Sequence, residues 1–258
     1  MPILHINPNE NQYGIRNGWV LSSTLTGLDV GTNDIIVEML LKDYKQDEAR
    51  AIKLNAANEP FYFLLSEATI TQDVVLFTTN ITPHRFNCQF YSGGALLDNL
   101  LVQLSPIFNK TLHIVYFANA ANCYVFCNGH LVRTTNKINH NWTNAIRIIR
   151  MFNSSTVGGV STPSIGCMLR YYNMNGGTFT STDILNIHRK YLRTPFITPP
   201  ELLAYEAFRF TGRQPDGSQI LAADTNVYNE APGAAGYGEA LAIQGGLTWG
   251  GIRSAVHV

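Results

Sequence analysis

The carboxylates are the first groups in this sequence that could do chemistry. A glycosidase needs two of them on opposite sides of the bond that it cleaves. Asp34 and Glu38 stand four residues apart on one predicted strand, with no third carboxylate beside them. The pattern predicts that Asp34 ends the strand and that Glu38 is an outward side chain, so this stretch offers no acid–base pair.

Cysteine and histidine often hold structural metals, but their spacing here does not suit a metal site. The chain has four cysteines: Cys88, Cys123, Cys127 and Cys167. Cys123 and Cys127 share one face of a predicted strand, with no Cys-x-x-Cys pair or neighbouring histidine to complete a tetrahedral site. We therefore expect buried core cysteines and no metal. His113 and His130 also fall on predicted strands, as packed or surface residues.

The sequence contains no recognisable catalytic or cofactor motif. It lacks the Gly-x-Ser-x-Gly elbow, the Gly-x-x-x-x-Gly-Lys-Ser/Thr loop and the His-Glu-x-x-His helix. Gly236 and Gly238 lack the third glycine and the preceding strand of a dinucleotide site. The sequence thus predicts no catalytic residue, no cofactor and no enzyme.

Short apolar, β-branched runs separated by turn residues make up most of the chain. Predicted strands cover residues 34–41, 61–65, 73–78, 85–91, 111–117, 123–127, 130–134, 145–151 and 165–172. Asn128 and Gly129 form the dipeptide preferred in a type I′ hairpin turn, because both positions need a positive φ. Residues 180–191 combine capping residues, a basic end and helical apolar spacing, which predicts one helix. This pattern is typical of a β-sandwich or jelly roll.

Composition and charge exclude several classes of protein. Lys+Arg 18 balances Asp+Glu 18 for a net charge of +0, whereas a nucleic-acid binder usually carries a basic excess. Charged residues make up 14%, against roughly 25% in an average domain, which favours association between copies. No apolar run reaches the ~18 residues of a membrane span. The N-terminus lacks the basic and apolar regions of a secretory signal, so we expect synthesis in the cytoplasm.

Four features in sequence carry a resemblance to a known family. They are the Asn-Gly hairpin at 125–132, the Ile-rich strand after it, the Leu-Arg-Tyr-Tyr-Asn strand end at 169–173 and the Thr-Asp-Ile-Leu-Asn helix start at 182–186. Their order resembles laminin G-like domains of the concanavalin A-like lectin superfold, best over residues 110–192 and loosely back to about residue 15. The resemblance implies an all-β, antiparallel jelly-roll sandwich with one short helix and an extended C-terminal tail.

The resemblance also implies ligands that the residues support only weakly. Glucanases of this superfold carry a strand-borne Glu-x-Asp-x-x-Glu signature, which is absent here. Laminin G-like domains often bind Ca²⁺ at the sandwich rim; Asp98 and Asn99 are loop candidates, although solvated loop residues are the simpler interpretation. Sugar binding needs exposed aromatic rings, and aromatic residues on strands are more often core. The candidates for stacking on a sugar are Tyr91, Trp142, Tyr171 and Tyr172.

The resemblance ends near residue 195 and divides the chain into three parts. We predict an N-terminal arm at 1–14, the sandwich at 15–195 and a C-terminal extension at 196–258. The extension is rich in glycine and alanine, yet its large apolar side chains would be costly to leave in water. It is therefore expected to lie along its own sandwich or on a neighbouring chain. The residues predicted to bind a partner are Tyr205, Phe208, Phe210, Leu247, Trp249 and Ile252.

Two classes of function follow from the sequence. The first is a non-enzymatic structural protein of the tailed-phage virion, as capsid decoration, head fibre or tail protein. Its terminal segments would dock on neighbouring protein subunits, including copies of itself. The alternative is a carbohydrate-binding, lectin-like module that attaches to a host surface through a glycan. Neither class involves nucleic acid or a membrane span.

Overall fold

Strands dominate the chain, as the short apolar runs predict. A computed structural model describes residues 5–6, 13–16, 19–21, 34–42, 61–66, 74–80, 85–92, 95–103, 111–136, 148–151, 165–211, 226–244, 248–251 and 256–257. The first nine strands are β1 (His5–Ile6), β2 (Tyr13–Arg16), β3 (Trp19–Leu21), β4 (Ile35–Lys42), β5 (Phe61–Ser66), β6 (Val74–Asn80), β7 (Arg85–Ser92), β8 (Ala95–Gln103) and β9 (Thr111–Ala118). The others are β10 (Asn122–Cys127), β11 (His130–Asn136), β12 (Ile148–Met151), β13 (Ile165–Asn173), β14 (Glu206–Phe210), β15 (Asn226–Tyr228), β16 (Ala240–Gln244), β17 (Thr248–Gly251) and β18 (Val256–His257).

Two antiparallel sheets form the body of the fold. The larger sheet has the strand order β11-β10-β9-β4-β13-β14, and the second has the order β12-β5-β6-β7-β8. Smaller sheets join β15, β16 and β3, pair β17 with β2, and pair β18 with β1. The predicted fold class, an antiparallel jelly-roll β-sandwich, is confirmed, and the residues that the structure describes contain one short α-helix.

One face of the six-stranded sheet packs toward the second sheet. Val37, Tyr116, Val125 and Tyr171 lie side by side in register on this inner face, and all four are buried. The Tyr116 hydroxyl lies 3.0 Å from Cys123 Sγ, and burial together with the nearby Cys123 and Cys88 thiols raises the pKa of Tyr116. Cys88 belongs to β7 of the second sheet, so its interaction with Tyr116 joins the two sheets.

Buried cysteines were predicted, and for the described side chains the prediction is confirmed. Cys88, Cys123 and Cys127 are free thiols within the core. Burial raises the pKa of Cys127 to about 11, so this thiol stays protonated at neutral pH. The side chain of Cys167 lies outside the described residues.

The opposite, outer face of the same sheet is covered by the helix α1 (Ser181–Tyr191) and by the chain that follows it. Its apolar contacts join the sheet to the cover through Ile36, Val115, Phe117, Phe126, Tyr172, Met174, Ile184, Ile187 and Leu202. A short 3₁₀ turn, Leu203–Tyr205, leads into β14. Because both faces are covered, every residue from 35 to 40 on β4 is buried. Within the described part of the chain, no helix is long and apolar enough to cross a membrane.

The predicted capping residues do begin the helix. Thr180 adopts an extended backbone, and its side chain accepts a hydrogen bond from the Asp183 backbone N–H at 3.2 Å. The Asp183 carboxylate accepts in return from the Thr180 backbone N–H at 2.8 Å, which completes a capping box. The Thr180 hydroxyl also donates to this carboxylate at 2.6 Å, and this bond together with the one from the Thr180 backbone N–H lowers the pKa of Asp183.

The predicted type I′ hairpin is also present between β10 and β11. Asn128 has φ 48° and Gly129 has φ 74°, both in the left-handed region. The Asn128 side chain accepts a hydrogen bond from the His113 backbone N–H at 2.8 Å, and the Gly129 carbonyl accepts one from Arg189 Nε at 2.6 Å. The turn is therefore tied both to β9 and to helix α1.

The C-terminal extension lies along its own chain wherever it is described. Strand β14 pairs with β13, across the predicted boundary at residue 195. The buried Asn229 side chain accepts from the Arg209 backbone N–H at 3.0 Å and donates to the Ala207 carbonyl at 2.9 Å. Strands β16, β17 and β18 pair with β3, β2 and β1. These pairings fit the expected placement along the chain's own sandwich, and docking of the extension on a neighbouring chain stays a prediction.

The glycine of the hairpin turn gives the first prediction. An added Cβ at Gly129 would lie 3.1 Å from Arg189 Cγ and would keep a positive φ, whereas Gly176 has a similar φ of 75° with nothing within 4 Å. Gly176→Ala should therefore cost about 1 kcal/mol for backbone strain alone. Gly129→Ala should cost about 2 kcal/mol or more, because the Arg189 side chain must also give way by a few tenths of an ångström. Urea unfolding of both variants measures the difference; equal losses would contradict the close packing of turn and helix.

Candidate functional site

The most unusual side chain in the described residues is a carboxylate in the core. Glu38 lies in the middle of β4 and is 2% exposed. Its Oε1 lies 2.7 Å from His113 Nε2, and its Oε2 accepts from the Tyr172 hydroxyl at 2.8 Å and from Arg170 Nη1 at 3.1 Å. The predicted outward, solvated position of Glu38 is wrong. The side chain does leave the inner face, but helix α1 covers the side to which it turns.

Four elements bring this site together. Glu38 comes from β4, His113 from β9, Arg170 and Tyr172 from β13, and His188 from helix α1. His188 Nδ1 lies 3.4 Å from Glu38 Oε1, and the two imidazole rings are 5.5 Å apart. The helix places His188 here because Ile184 and His188 are separated by four residues and so share the buried face.

A second carboxylate extends the site toward the sheet edge. A register shift between Tyr171 and Tyr172 sets Glu206 of β14 opposite Tyr172. Glu206 Oε1 lies 3.3 Å from Arg170 Nε, and the carboxylate also binds the Arg209 guanidinium and the Thr198 hydroxyl. Arg170 Nη1 donates in addition to the Pro195 carbonyl at 2.8 Å. The cluster thus joins the sheet to both the helix and the segment after it.

The charges of this cluster balance without help from solvent. Two carboxylates, Glu38 and Glu206, face two guanidinium groups, Arg170 and Arg209. Burial would raise the pKa of Glu38, but the Arg170 charge and the two imidazoles hold it well below its usual range. Burial would likewise lower the pKa of Arg170, but the neighbouring carboxylates raise it. Both groups are therefore ionised at neutral pH.

His188 behaves differently from the carboxylates. Burial lowers the pKa of His188 more strongly than the attraction of Glu38 raises it, and the nearby Arg170 charge adds to the lowering. The imidazole is therefore neutral at pH 7. Its Nε2 atom and Nδ1 of His113 are both buried without a hydrogen-bond partner.

The same groups resemble a set of metal ligands. Glu38, His113 and His188 each offer one ligand atom, and these atoms all lie within 4.8 Å of one another. Three observations count against a fit. The 2.7 Å Oε1–Nε2 contact is a hydrogen-bond length, whereas ligands at ~2.1 Å from zinc would stand farther apart. The outer ring nitrogens lack the partners that bound histidines usually have. A divalent charge would also upset a balanced, buried set of ions.

The sequence candidates for partner binding fall into four groups. Phe208 and Phe210 on β14 lie in the chain's own core, where their side chains are 0% and 1% exposed. Tyr205 is half-buried and packs edge-on against Phe179 at 5.7 Å. Trp249 lies on β17 opposite Ile15. Leu247 and Ile252 lie outside the described residues. A role for these six residues in binding a partner stays a prediction.

The sequence candidates for sugar and calcium are also placed. Tyr171 and Tyr172 are fully buried, so neither ring is available to a ligand. Tyr91 is the partner of Leu96 in the β7–β8 ladder, and Trp142 lies outside the described residues. Asp98 and Asn99 lie within strand β8 and not in a loop, which corrects the sequence-based prediction.

One exposed aromatic ring stands out on the described surface. Tyr237 is 50% exposed, in the loop of residues 231–239, which lies within the connection between β15 and β16. Its backbone N–H donates to the Ala234 carbonyl at 3.0 Å, and Gly238 N–H donates to the Asn229 carbonyl at 2.9 Å. The ring is therefore displayed on a hydrogen-bonded loop. It is not among the residues selected from the sequence, although its flanking glycines are a turn signal.

The sequence does hold a signal for the buried cluster, in the charges that interrupt apolar strands. Glu38 interrupts a run of apolar residues that is too continuous for a strand with one solvated face. A strand buried on both faces must pair any charge that it carries. Arg170 interrupts the apolar strand β13 in the same way.

Comparison with known proteins confirms the fold. No protein family matches the chain, and no curated protein matches it. Among solved structures, the chain is similar to a Bacteroides ovatus ATCC 8483 protein provisionally described as carbohydrate-binding, with a TM-score of 0.53 and 10% identity over 95% of this chain and 61% of that one. The chain thus spans about three fifths of that protein's length. At this identity the similarity shows the fold alone.

Two further structures have lower scores. The binding domain of Paraclostridial Mosquitocidal Protein 1 has a TM-score of 0.49 and 9% identity over 87% of this chain and 51% of that one. Domains LG4-5 of the mouse laminin alpha1 chain have a TM-score of 0.42 and 12% identity over 66% and 45%. The strand arrangement defines the class as an antiparallel jelly-roll β-sandwich, and in this chain a buried ionic cluster lies beneath the helix.

Removing the central carboxylate should destabilise the chain strongly. Glu38→Gln leaves Arg170 buried with one fewer counter-charge, so the free energy of unfolding should fall by about 3–5 kcal/mol. Glu201→Gln is the matched control, because Glu201 pairs with Lys190 at 3.0 Å on the surface, where the two side chains are 37% and 62% exposed. The control should change stability by less than about 1 kcal/mol. Chemical unfolding measures both; a loss below about 1 kcal/mol for Glu38→Gln would refute the role of the cluster.

Stability should also fall below pH 6.5 because of His188. Its pKa in the folded chain is lower than the unfolded value of 6.5, so its neutral form stabilises the fold above pH 6.5 and this contribution is lost as the pH falls toward the folded pKa. The free energy of unfolding should decrease by up to about 1.4 kcal/mol between pH 7.5 and pH 5.5. In His188→Gln this part of the decrease should vanish. Urea titrations at the two pH values test it, and an unchanged pH dependence in His188→Gln would contradict the assignment.

Proposed function

We propose that this chain is a carbohydrate-binding module that holds glycans on an exposed surface of its β-sandwich. The supporting comparison is the shared fold of the Bacteroides ovatus protein, which is provisionally described as carbohydrate-binding. The supporting observation in this chain is the half-exposed ring of Tyr237 on the loop of residues 231–239. The buried cluster around Glu38 has no part in binding, since it is closed to solvent.

The loop around Tyr237 has the properties that a sugar-binding platform needs. Gly233 and Gly238, with φ values of 84° and 75°, allow its tight turns. The Glu239 backbone N–H closes the second turn on the Gly236 carbonyl at 3.1 Å. A tyrosine ring gives a broad, rigid contact surface with little loss of conformational entropy. A sugar that lies flat on the ring would meet a surface already fixed in place.

The binding mode follows from the exposed position of the ring. A sugar on an open surface buries little area, so the affinity of a single site is low. Tyrosine also carries a hydroxyl that can hydrogen-bond to the edge of the sugar. We expect dissociation constants in the high micromolar to millimolar range for a single site. Repeated sites on an oligomer, or a repeated glycan, would make the overall binding tighter.

Structural assembly within a phage virion is the second proposal. It would make the chain a capsid-decoration, head-fibre or tail protein, made in the cytoplasm and carried in the particle. The observation in its favour is strand β11, whose Leu131 and Val132 are 47% and 38% exposed and which has no partner strand on its outer edge among the described residues. The described part of the tail pairs with its own chain, so carbohydrate binding is the better-supported proposal.

Glycan binding through Tyr237 can be tested directly. A glycan array with the full chain, with and without Ca²⁺, should give at least one ligand. Tyr237→Ala should weaken binding to that ligand at least tenfold, about 1.4 kcal/mol. Tyr237→Phe should keep most of the affinity, because the ring remains.

The matched control is Leu203→Ala, which removes another exposed apolar side chain, 41% exposed, outside this loop. It should bind as the natural chain does. Absence of any glycan ligand would remove the proposed function, and full binding by Tyr237→Ala would move the site elsewhere on the surface.

A further inference from the structure

Helix α1 is held on the sheet by a polar contact that depends on one histidine. His188 is the residue through which the helix reaches the Glu38 cluster. The helix also makes apolar contacts through Ile184, Ile187, Leu185 and Tyr191, and Arg189 Nε donates to the Gly129 carbonyl at 2.6 Å. On its surface, Lys190 pairs with Glu201 at 3.0 Å.

The groups that face His188 decide what a proton would do there. Glu38 and His113 lie against His188, and the Arg170 charge also acts on it. Behind them, Tyr172 binds Glu38, Glu206 pairs with Arg170, and Arg209 pairs with Glu206. Tyr172 is neutral, because burial and Glu38 raise its pKa. At neutral pH the remaining charges are two negative and two positive. A protonated imidazole therefore adds an unmatched positive charge to a buried, balanced set.

The hydrogen bonds give the same result as the charges. His188 Nε2 and His113 Nδ1 are buried and have no hydrogen-bond partner. A proton on either atom creates an N–H donor without an acceptor in a site closed to water, which is strongly unfavourable. Moving the helix away from the sheet would bring these atoms into contact with water.

The core between the two sheets does not share this sensitivity to acid. The inner face of the six-stranded sheet is built from apolar side chains and from the thiols and hydroxyl of Cys88, Cys123 and Tyr116. Burial raises the pKa of Tyr116, so this group stays neutral in acid as well. The two buried histidines that the structure describes, His113 and His188, thus lie between the helix and the outer face.

We propose that His188 and Glu38 form an acid-sensitive latch that holds helix α1 on the outer face of the six-stranded sheet and releases it in mildly acidic solution, while the two-sheet core stays folded. This goes beyond carbohydrate binding and does not depend on it. Release uncovers aromatic side chains that the helix now helps to bury. The rings of Phe117 and Tyr124 stack at 5.7 Å, and those of Tyr124 and Phe126 at 6.4 Å. The latch would therefore convert a fall in pH into an exposed aromatic surface.

Hydrogen–deuterium exchange of the full chain at pH 7.5 and pH 5.0 tests the latch. After correction for the intrinsic exchange rate, the opening equilibrium constant of helix α1 peptides should be at least tenfold larger at pH 5.0 than at pH 7.5. Peptides of β9 and β10 should change less than twofold. Binding of an apolar fluorescent dye should rise over the same pH interval.

Two variants separate the latch from a general effect of acid. His188→Gln keeps a neutral hydrogen-bonding side chain and should lose the pH response of the helix. His130→Gln is the matched control, because His130 is an exposed histidine on the neighbouring hairpin and should leave the response unchanged.

Three results would overturn the proposal. They are a helix that opens equally at both pH values, a helix and core that open together in acid, and a full pH response in His188→Gln. If His188→Gln does not fold, the comparison of helix and core peptides in the natural chain and in His130→Gln still decides between local release and global unfolding.

Discussion

The buried ion pair between Glu38 and Arg170 is the interaction on which the rest of this structure depends. The two side chains are 2% and 0% exposed, and they come from adjacent strands in the middle of the larger sheet. Neither charge is tolerable in the core without the other. The pair goes together with a cover over the outer face of the sheet. A carboxylate in contact with water would not need Arg170, whereas one that the cover shields from water does. The helix and the segment after it provide that cover.

This constraint explains why the sheet has two different faces. The inner face packs against the second sheet through apolar side chains, and its geometry follows from strand alternation alone. The outer face combines an apolar cluster beneath the helix with an ionic cluster beside it. The apolar contacts supply stability, whereas the ionic contacts set the position of the cover. The Arg170 contact with the Pro195 carbonyl and the Glu206 contact with Thr198 each fix one point of the connecting segment.

Local features of the fold could be predicted from the sequence, whereas the pairing of residues within the ionic cluster could not. The Asn128–Gly129 turn and the Thr180 cap depend on neighbours within three residues, so their residue types suffice. Glu38 meets His113 and Arg170 across separations of 75 and 132 residues, which no local pattern encodes. A lone charge on a strand is for that reason predicted to lie at the surface. The ring of Tyr237 escapes prediction for another reason, since exposure of a ring depends on the surrounding fold.

A double-mutant cycle between Glu38 and Arg170 tests the central claim most directly. Glu38→Gln, Arg170→Met and the double variant would be compared with the natural chain by chemical unfolding. If the two charges hold each other in the core, the double variant should be more stable than the sum of the single losses predicts, with a coupling of at least about 2 kcal/mol. Losses that add within about 0.5 kcal/mol would show that the two charges do not act as a unit, and would contradict a fold whose outer cover depends on this ion pair.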